Sequence, residues 1–512
     1  MRPAWRIDAI GTIISPDVRA RARAEPRAWS RVRAWWWIAA AFLGAQILIA
    51  CVAANGPFVD EGLYTVAGMR VLEGKGLSDG YITWFNGSPF FWPVMAAVGH
   101  RLGGLTGARL MAVLISMVTL VAFAKTAETL FGESAAAWGT AALSLNGLFI
   151  ALAHFAVYDV PALAGIALSM WGAARFSTSR HVRWLIAAAV AFALAVICKY
   201  GYLLMVVPVL GLLVSTRDRR DLGRSLALFC LVAGAIVTAY FLIFFGSPLP
   251  TSMTAYLDQT FQRSRGHIAV LQVVFGLVPF ALATAGAVIA WRKGRRLLAL
   301  TCLLALGVYP AFHLWTANFV SGQKHVVPGF LFGYLLAGVA LERLWRTGSR
   351  VTIGILLAFV TVWGGVQWYW QEHSWSDTRP LTSRLVQEMK RGERIIADSS
   401  WIYTLALYPA GLIESPADVI DANFSPPLDR RDACQITWLV GNLDAAESVR
   451  DSMERCGHRP VLSSVSRHYY FDTSRLRLDA FTTAVTLYHS DGPRQASIRT
   501  GSAARGFERS TR

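Results

Sequence analysis

Charge is scarce in this chain. Asp, Glu, Lys and Arg together make up 16% of 512 residues, against 54% that are hydrophobic. That balance, with a mean hydropathy of +0.42, excludes an ordinary soluble domain. Recognisable motifs are scarce too. There is no Gly-rich nucleotide loop, zinc signature or Ser/His/Asp pattern, so the chain offers no nucleotide-sugar site. The six cysteines show no metal-ligand spacing. Cys51, Cys198, Cys230 and Cys302 fall within apolar segments and read as small core residues. No internal repeat is visible. Acids are the rarer charge, 32 against 49 Lys and Arg, for a net +17. The basic residues are scattered through short connectors rather than gathered on one face. Such scatter speaks for membrane orientation and against nucleic-acid binding.

Long apolar runs are what the chain has in abundance. They recur through residue 370, each a candidate bilayer-crossing helix, and 19 Trp with 27 Phe fit aromatic belts at two interfaces. Residues 1–33 carry eight arginines against three acids and predict a cytoplasmic basic tail. The first apolar segment, Ala34 to Ala54, is too long for a signal-peptide core and runs from inside to outside. Ser88 to Leu102 has only about half a bilayer-spanning length, after allowing for Pro89 and Pro93, and reads as a juxtamembrane helix. With it left out, the basic connectors 179–183, 217–220, 292–296 and 343–350 all fall inside. Counting it as a span would put all four outside.

The expected fold is therefore a polytopic α-helical membrane protein, with about eleven transmembrane helices plus juxtamembrane helices over 34–370. Its first extracytoplasmic loop is 55–106. A small C-terminal extracytoplasmic α/β domain follows over 373–490, with strand-like runs at 394–397, 435–440 and 467–471 and a helix at 445–455. Cys434 and Cys456 sit at the ends of a strand–helix return, either as a disulfide or as two buried thiols. Residues 491–512 read as a disordered tail. The expected location is a bacterial inner or cell membrane, with the N-terminus cytoplasmic.

Candidate functional residues gather on the outer side of that topology. Asp60 and Glu61, in Phe58-Val59-Asp60-Glu61-Gly62, follow the first span. Two carboxylates there are costly unless solvated, paired or used. Either they begin a wet loop, or Asp60 takes a proton from an acceptor hydroxyl, being a stronger base when partly desolvated. Glu61 would then orient the site or hold a metal. Asp159, before Val160-Pro161, is either a helix N-cap or an acid facing a cavity, and the two roles are compatible. Lys199 interrupts an apolar run at a hairpin tip, where it either snorkels to headgroups or neutralises a lipid phosphate. Arg263, Arg265 and His267, and Lys324 with His325, put positive charge on the outer surface, against the usual bias. They face lipid headgroups or the phosphate of a lipid-borne substrate.

The ordered set of Asp60-Glu61, Gly74 and Gly76, Ser88-Pro89-Phe90, Gly107-Ala108-Arg109-Leu110, Tyr158-Asp159-Val160-Pro161 and Lys199 resembles the GT-C membrane glycosyltransferases. The branch of protein O-mannosyltransferases and lipid A aminoarabinose transferases is the most similar in pattern. The resemblance spans 34–345 and is strongest over 58–201. It implies transfer with inversion from a polyprenyl-phosphate donor, with Asp60 activating the acceptor and Asp159 shaping the same cavity. Lys199 and the Arg/His loop up to His267 match regions that meet the donor phosphate. In some members a glutamate and a loop histidine bind a divalent metal, which here implies Glu61 or Glu73 with His267. Ser88-Pro89-Phe90 departs from the family's proline pair.

The expectation is thus an inverting hexosyl or pentosyl transferase. It would carry sugar from a polyprenyl-phosphate donor to an extracytoplasmic lipid, glycan or protein. One rival is a flippase or transporter of lipid-linked sugars, against which the missing repeat and the lack of mid-membrane charge count. The other is a non-catalytic assembly protein, in which Asp60 and Asp159 have no reason to converge.

Overall fold

The computed structural model describes residues 33–53, 55–77, 86–215, 222–245, 264–317, 322–397, 399–421, 435–442, 456–472 and 477–490. Arg263, Cys434 and the expected helix 445–455 lie outside these residues, as do the two tails. The apolar runs fold as helices because backbone in lipid must satisfy its own hydrogen bonds. In chain order they are α1 (Ala34–Leu48, extended by a π-helical turn), α2 (Val59–Leu72), α3 (Phe91–Phe131), α4 (Glu133–Ser144) and α5 (Gly147–His154). Next come α6 (Asp159–Ser179), α7 (Val182–Cys198), and a 3-10 turn Tyr200–Met205 that leads into α8 (Val206–Ser215). The remainder are α9 (Leu222–Phe245), α10 (Arg265–Arg292), α11 (Arg296–Thr316), the single turn α12 (Gly322–His325), α13 (Val327–Arg346) and α14 (Arg350–Glu372).

Among the described residues seven helices are long and apolar enough to cross a bilayer, or eight if α4 and α5 count as one span. The expected count of about eleven is not reached by that measure. Local chemistry gives the reasons. The apolar run 136–153 is broken, because the Asn146 side chain accepts the Phe149 N–H at 3.0 Å and starts a new helix. The two halves meet at 73°. The helices α7 and α8 are apolar but shorter than a full crossing. The long α3 is itself two helices, parted at Gly103 and at Gly104, whose φ of +61° favours glycine. Its first arm, Phe91 to Leu102, is about 18 Å long by the usual rise. Burial separates the remaining spans: the apolar window of α13 is 89% buried, that of α9 only 17%. The first is a central helix and the second exposes its apolar side chains, as a lipid-facing helix does.

The chain divides into two compact units. One holds α1, Ala67–Ser374 and Tyr469–Asp479; the other holds Asn55–Val66, Trp375–His468 and the residues from Ala480 on. The second unit contains α15 (Arg379–Glu388), β1 (Ile395–Ala397), α16 (Ser400–Leu407), β2 (Val419–Asp421) and β3 (Trp438–Asn442). Most of β4 (Arg459–Asp472) and β5 (Arg477–His489) complete it. The sheet order is β2-β1-β3-β5-β4, with β1 parallel to β2 and β3, and β5 antiparallel to β3. Ile396, Ile436, Leu439 and Tyr488 form a small core, with Cys456 packed against it. Cys456 is disulfide-bonded, whereas Cys51, Cys198, Cys230 and Cys302 are free thiols.

Residues 55–66, which the sequence groups with the membrane spans, pack in this second unit. Asn55 Nδ2 donates to the Trp375 carbonyl at 2.8 Å, and Trp375 Nε1 donates to the Gly56 carbonyl at 3.1 Å. The Phe58 and Trp375 rings lie 5.1 Å apart.

Candidate functional site

A buried ion pair marks the break after α7. Lys199 leaves the helix in an extended conformation, and residues 86–88 run beside it. Ser88 N–H donates to the Ile197 carbonyl at 2.8 Å, and Tyr200 N–H donates to that of Asn86 at 2.8 Å. Between these two bonds Gly87 comes so close that a Cβ would stand 1.9 Å from the Cys198 carbonyl oxygen. The clamp fixes the backbone of Lys199, whose ammonium donates to Asp159 Oδ1. Lys199 is 4% exposed and Asp159 not at all.

Asp159 is the first residue of α6 rather than its cap; Tyr158 holds the cap position without a side-chain bond. A carboxylate there meets the positive end of the helix. Lys199 Nζ also lies 5.3 Å from the centroid of the Tyr158 ring, within cation–π range. Asp159 Oδ2 is buried and accepts no hydrogen bond from a described residue. Two desolvated charges are expensive, and a half-bonded carboxylate more so. Lys199, read from the sequence as snorkelling to headgroups or neutralising a lipid phosphate, is buried inside the protein with its ammonium ion-paired to Asp159, which does not suit snorkelling.

A histidine pair lies beside this break. His313 of α11 and His325 of α12 stack at 5.2 Å and 7°, with His325 Nδ1 3.2 Å from His313 Nε2. Tyr309 packs against His325 at 5.8 Å and donates its hydroxyl to the Gly201 carbonyl at 3.0 Å, which ties the pair to the chain just after Lys199. Burial holds His325 well below its ordinary 6.5, and the charge of Lys199, then His313 and Lys324, pushes the same way. The loop that reads from sequence as a basic cluster therefore contributes a neutral ring at neutral pH. His313 escaped the sequence reading. Its one signal is the spacing Tyr309-x-x-x-His313, which puts two polar groups on one helix face.

The remaining candidates divide between the units. Asp60, in the first turn of α2, is half-buried. Glu61 is fully buried, and its Oε2 accepts the Phe58 N–H at 2.9 Å, the reach-back bond of a helix cap. Gly62 allows α2 to meet α16, since a Cβ would stand 2.3 Å from the Trp401 carbonyl oxygen. Asp60 and Glu61 belong to the second unit; Asp159, Lys199, Arg265, His267 and Lys324 belong to the first. Arg265 is exposed and donates Nε to the Leu314 carbonyl at 3.2 Å, His267 N–H donates to the Ser264 hydroxyl at 3.2 Å, and Lys324 is half-buried. Glu73 pairs with Lys75 at 2.9 Å and Arg101 at 3.7 Å. Among the described residues no group of three or more His, Cys, Asp or Glu could hold a metal ion. With Glu61 capping a helix and Glu73 ion-paired, these side chains do not fit a divalent site.

A family model described as dolichyl-phosphate-mannose-protein mannosyltransferase matches residues 88–244. No curated protein matches significantly in sequence. Among solved structures, ArnT from Cupriavidus metallidurans in the apo state is similar at a TM-score of 0.59 and 17% identity, covering 88% of this chain and 97% of that one. The same protein bound to undecaprenyl phosphate gives 0.57 and 17%, covering 88% and 98%. The archaeal oligosaccharyltransferase AglB from Archaeoglobus fulgidus gives 0.49 at 9%, covering 86% and 74%.

Proposed function

We propose that this chain is an ArnT- and PMT-like member of the GT-C superfamily of membrane glycosyltransferases, and an inverting enzyme that draws on a polyprenyl-phosphate sugar; the matching family model over 88–244 and the ArnT-like fold support this reading. The acceptor hydroxyl attacks the anomeric carbon as the bond to the phosphate oxygen breaks, and polyprenyl phosphate leaves. Asp60 takes the hydroxyl proton, a step worth roughly 10²- to 10⁴-fold in rate. Its half-buried place in the first turn of α2 suits a base that a substrate must reach. Lys199, Arg263, Arg265 and Lys324 offset the charge that develops on the leaving phosphate. The donor carries a hexose or pentose, and the acceptor is a lipid, glycan or protein on the extracytoplasmic side, where the C-terminal unit also lies.

The observation that carries this proposal is the Asp159–Lys199 pair. Two desolvated charges at a helix break, with one carboxylate oxygen unbonded, are poor value for stability alone and suit a polar cavity. A divalent metal is left out of the mechanism, since the glutamates that would hold it are engaged elsewhere.

The test is to incubate purified protein with radiolabelled polyprenyl-phosphate sugars and a membrane-glycan extract, comparing wild type with Asp60→Asn. Transfer by the wild type alone is expected. Normal transfer by Asp60→Asn overturns the role of that residue. A wild type that consumes no donor overturns the transferase proposal and favours a transporter of lipid-linked sugars.

A further inference from the structure

A second buried ionisable pair stands outside the site described above. His154 ends α5 and Glu372 ends α14; neither is exposed at all, and His154 Nε2 lies 3.0 Å from Glu372 Oε2. The opposite ring nitrogen, Nδ1, faces two oxygens: the Ile150 carbonyl at 3.0 Å and Gln46 Oε1 at 3.3 Å. Gln46, of α1, is 1% exposed, and its amide nitrogen donates to the same Ile150 carbonyl at 3.3 Å. Two acceptors oblige Nδ1 to carry a proton. The contact between Nε2 and the carboxyl group then needs one further proton, held on either side. The ring orientation, the tautomer and the shared proton are all fixed by the packing.

Stability alone is a poor reason for this arrangement. A carboxylate at the C-terminal end of a helix opposes its dipole. Full burial of both groups adds a desolvation cost that their pairing rarely offsets with much to spare. The position in the chain offers a better reason. α5 and α14 run parallel, and their backbones touch first at Gly147 and Gly364, where a Cβ on Gly147 would lie 2.1 Å from the Gly364 carbonyl oxygen. Seven residues further along α5, and eight along α14, the His154–Glu372 bond closes the contact. Beyond His154 the chain leaves the helix at Phe155 in an extended conformation and reaches Asp159 after four residues.

We infer that His154 and Glu372 are positioning residues, whose shared-proton bond sets the segment 155–158 and so the placement of Asp159. The inference rests on the transferase proposal for its catalytic readout, but not for its structural one. The test compares wild type with Glu372→Gln, which keeps size and a hydrogen bond but removes the shared proton, and with Glu372→Asp. Two readouts are taken: donor turnover, split into kcat and KM, and backbone hydrogen exchange. The expected result for Glu372→Gln is a kcat at least tenfold lower with donor KM within twofold. Faster exchange should be confined to 155–162, and Glu372→Asp should recover part of both. An unchanged kcat, or a loss accompanied by faster exchange throughout the helices, overturns the inference. If the wild type turns over no donor, the transferase proposal fails separately. The exchange arm then decides alone: a change confined to 155–162 supports the positioning role, and any other pattern ends it.

Discussion

Asp60 and Asp159 are the same residue type in the same local place, the first turn of a helix at the edge of an apolar stretch. Their surroundings are unlike. Asp159 is wholly buried and ion-paired with Lys199, while Asp60 is half-buried in a unit that packs by itself. A wholly enclosed carboxylate beside an ammonium holds charge in place, whereas one at a half-buried position can be reached by a substrate. The difference separates an electrostatic anchor, Asp159, from a reagent, the role proposed for Asp60.

Removing each acid is the sharpest way to break that comparison. Asp159→Asn removes the carboxylate charge from beside the buried Lys199 ammonium, and should cost about 3–5 kcal/mol of stability. Asp159→Asn with Lys199→Met should recover most of that loss and still leave transfer impaired. Asp60→Asn, at a half-exposed position, should change stability by no more than about 0.5 kcal/mol. Melting curves of the detergent-solubilised variants check all three. If Asp60→Asn proves the more destabilising, the roles assigned to the two acids are reversed.

The membrane architecture was legible in the sequence because lipid allows so few backbone solutions, and the order of its acids, glycines and prolines pointed to the fold. The strands at 395–397 and 438–442 were legible as short β-branched and aromatic runs. Pairings were not. Lys199 finds Asp159 across 40 residues and His154 finds Glu372 across 218, and composition carries no trace of either partner. Glu61 could not be recognised as a cap because its usual sign, a Ser or Thr three residues earlier, is replaced here by Phe58. The bend at Asn146-Gly147 was not legible either: it is a turn signal hidden inside an apolar run, and it redirects the chain by 73°.

Two glycines hold the anchor and the reagent in place, and filling them tests each region separately. Gly87→Ala would drive a methyl group into the Cys198 carbonyl and part the clamp on Lys199. Gly62→Ala would do the same against Trp401, two residues from Asp60. Each should cost about 1–3 kcal/mol by melting temperature, as overpacking does. Transfer should fall by more than the loss of folded protein explains; equal losses of fold and transfer would assign both glycines to stability alone.

The histidine beside the anchor predicts a smaller, pH-dependent effect. His325 stays neutral well below its ordinary 6.5, so between 6.5 and its lowered value the unfolded chain binds a proton that the folded one refuses. Stability is fully present above pH 6.5 and declines as pH falls, by up to about 1.4 kcal/mol per pH unit. His325→Gln should flatten that decline in melts recorded from pH 7 to 5. An unchanged slope would mean that the ring is not held neutral.

The smallest expected effect lies on the reagent side, at Asp377. Burial alone would raise its carboxyl group, but hydrogen bonds from Arg379, the Arg379 charge and the backbone of Gly56 together hold it below the usual 3.8. A depressed carboxylate stabilises the fold above its unfolded value and loses that contribution as pH falls through its folded one. Since the side chains of Asp377 and Arg379 are 31% and 58% exposed, solvent screening limits the gain to a few tenths of a kcal/mol. Asp377→Asn should therefore lower stability slightly at pH 7, with the two acid-unfolding curves merging once the pH falls below the depressed folded-state value. Its effect on transfer should be larger than its effect on stability. Gly56 precedes α2 by three residues, so a loosened Asp377 frees the segment that sets where Asp60 stands.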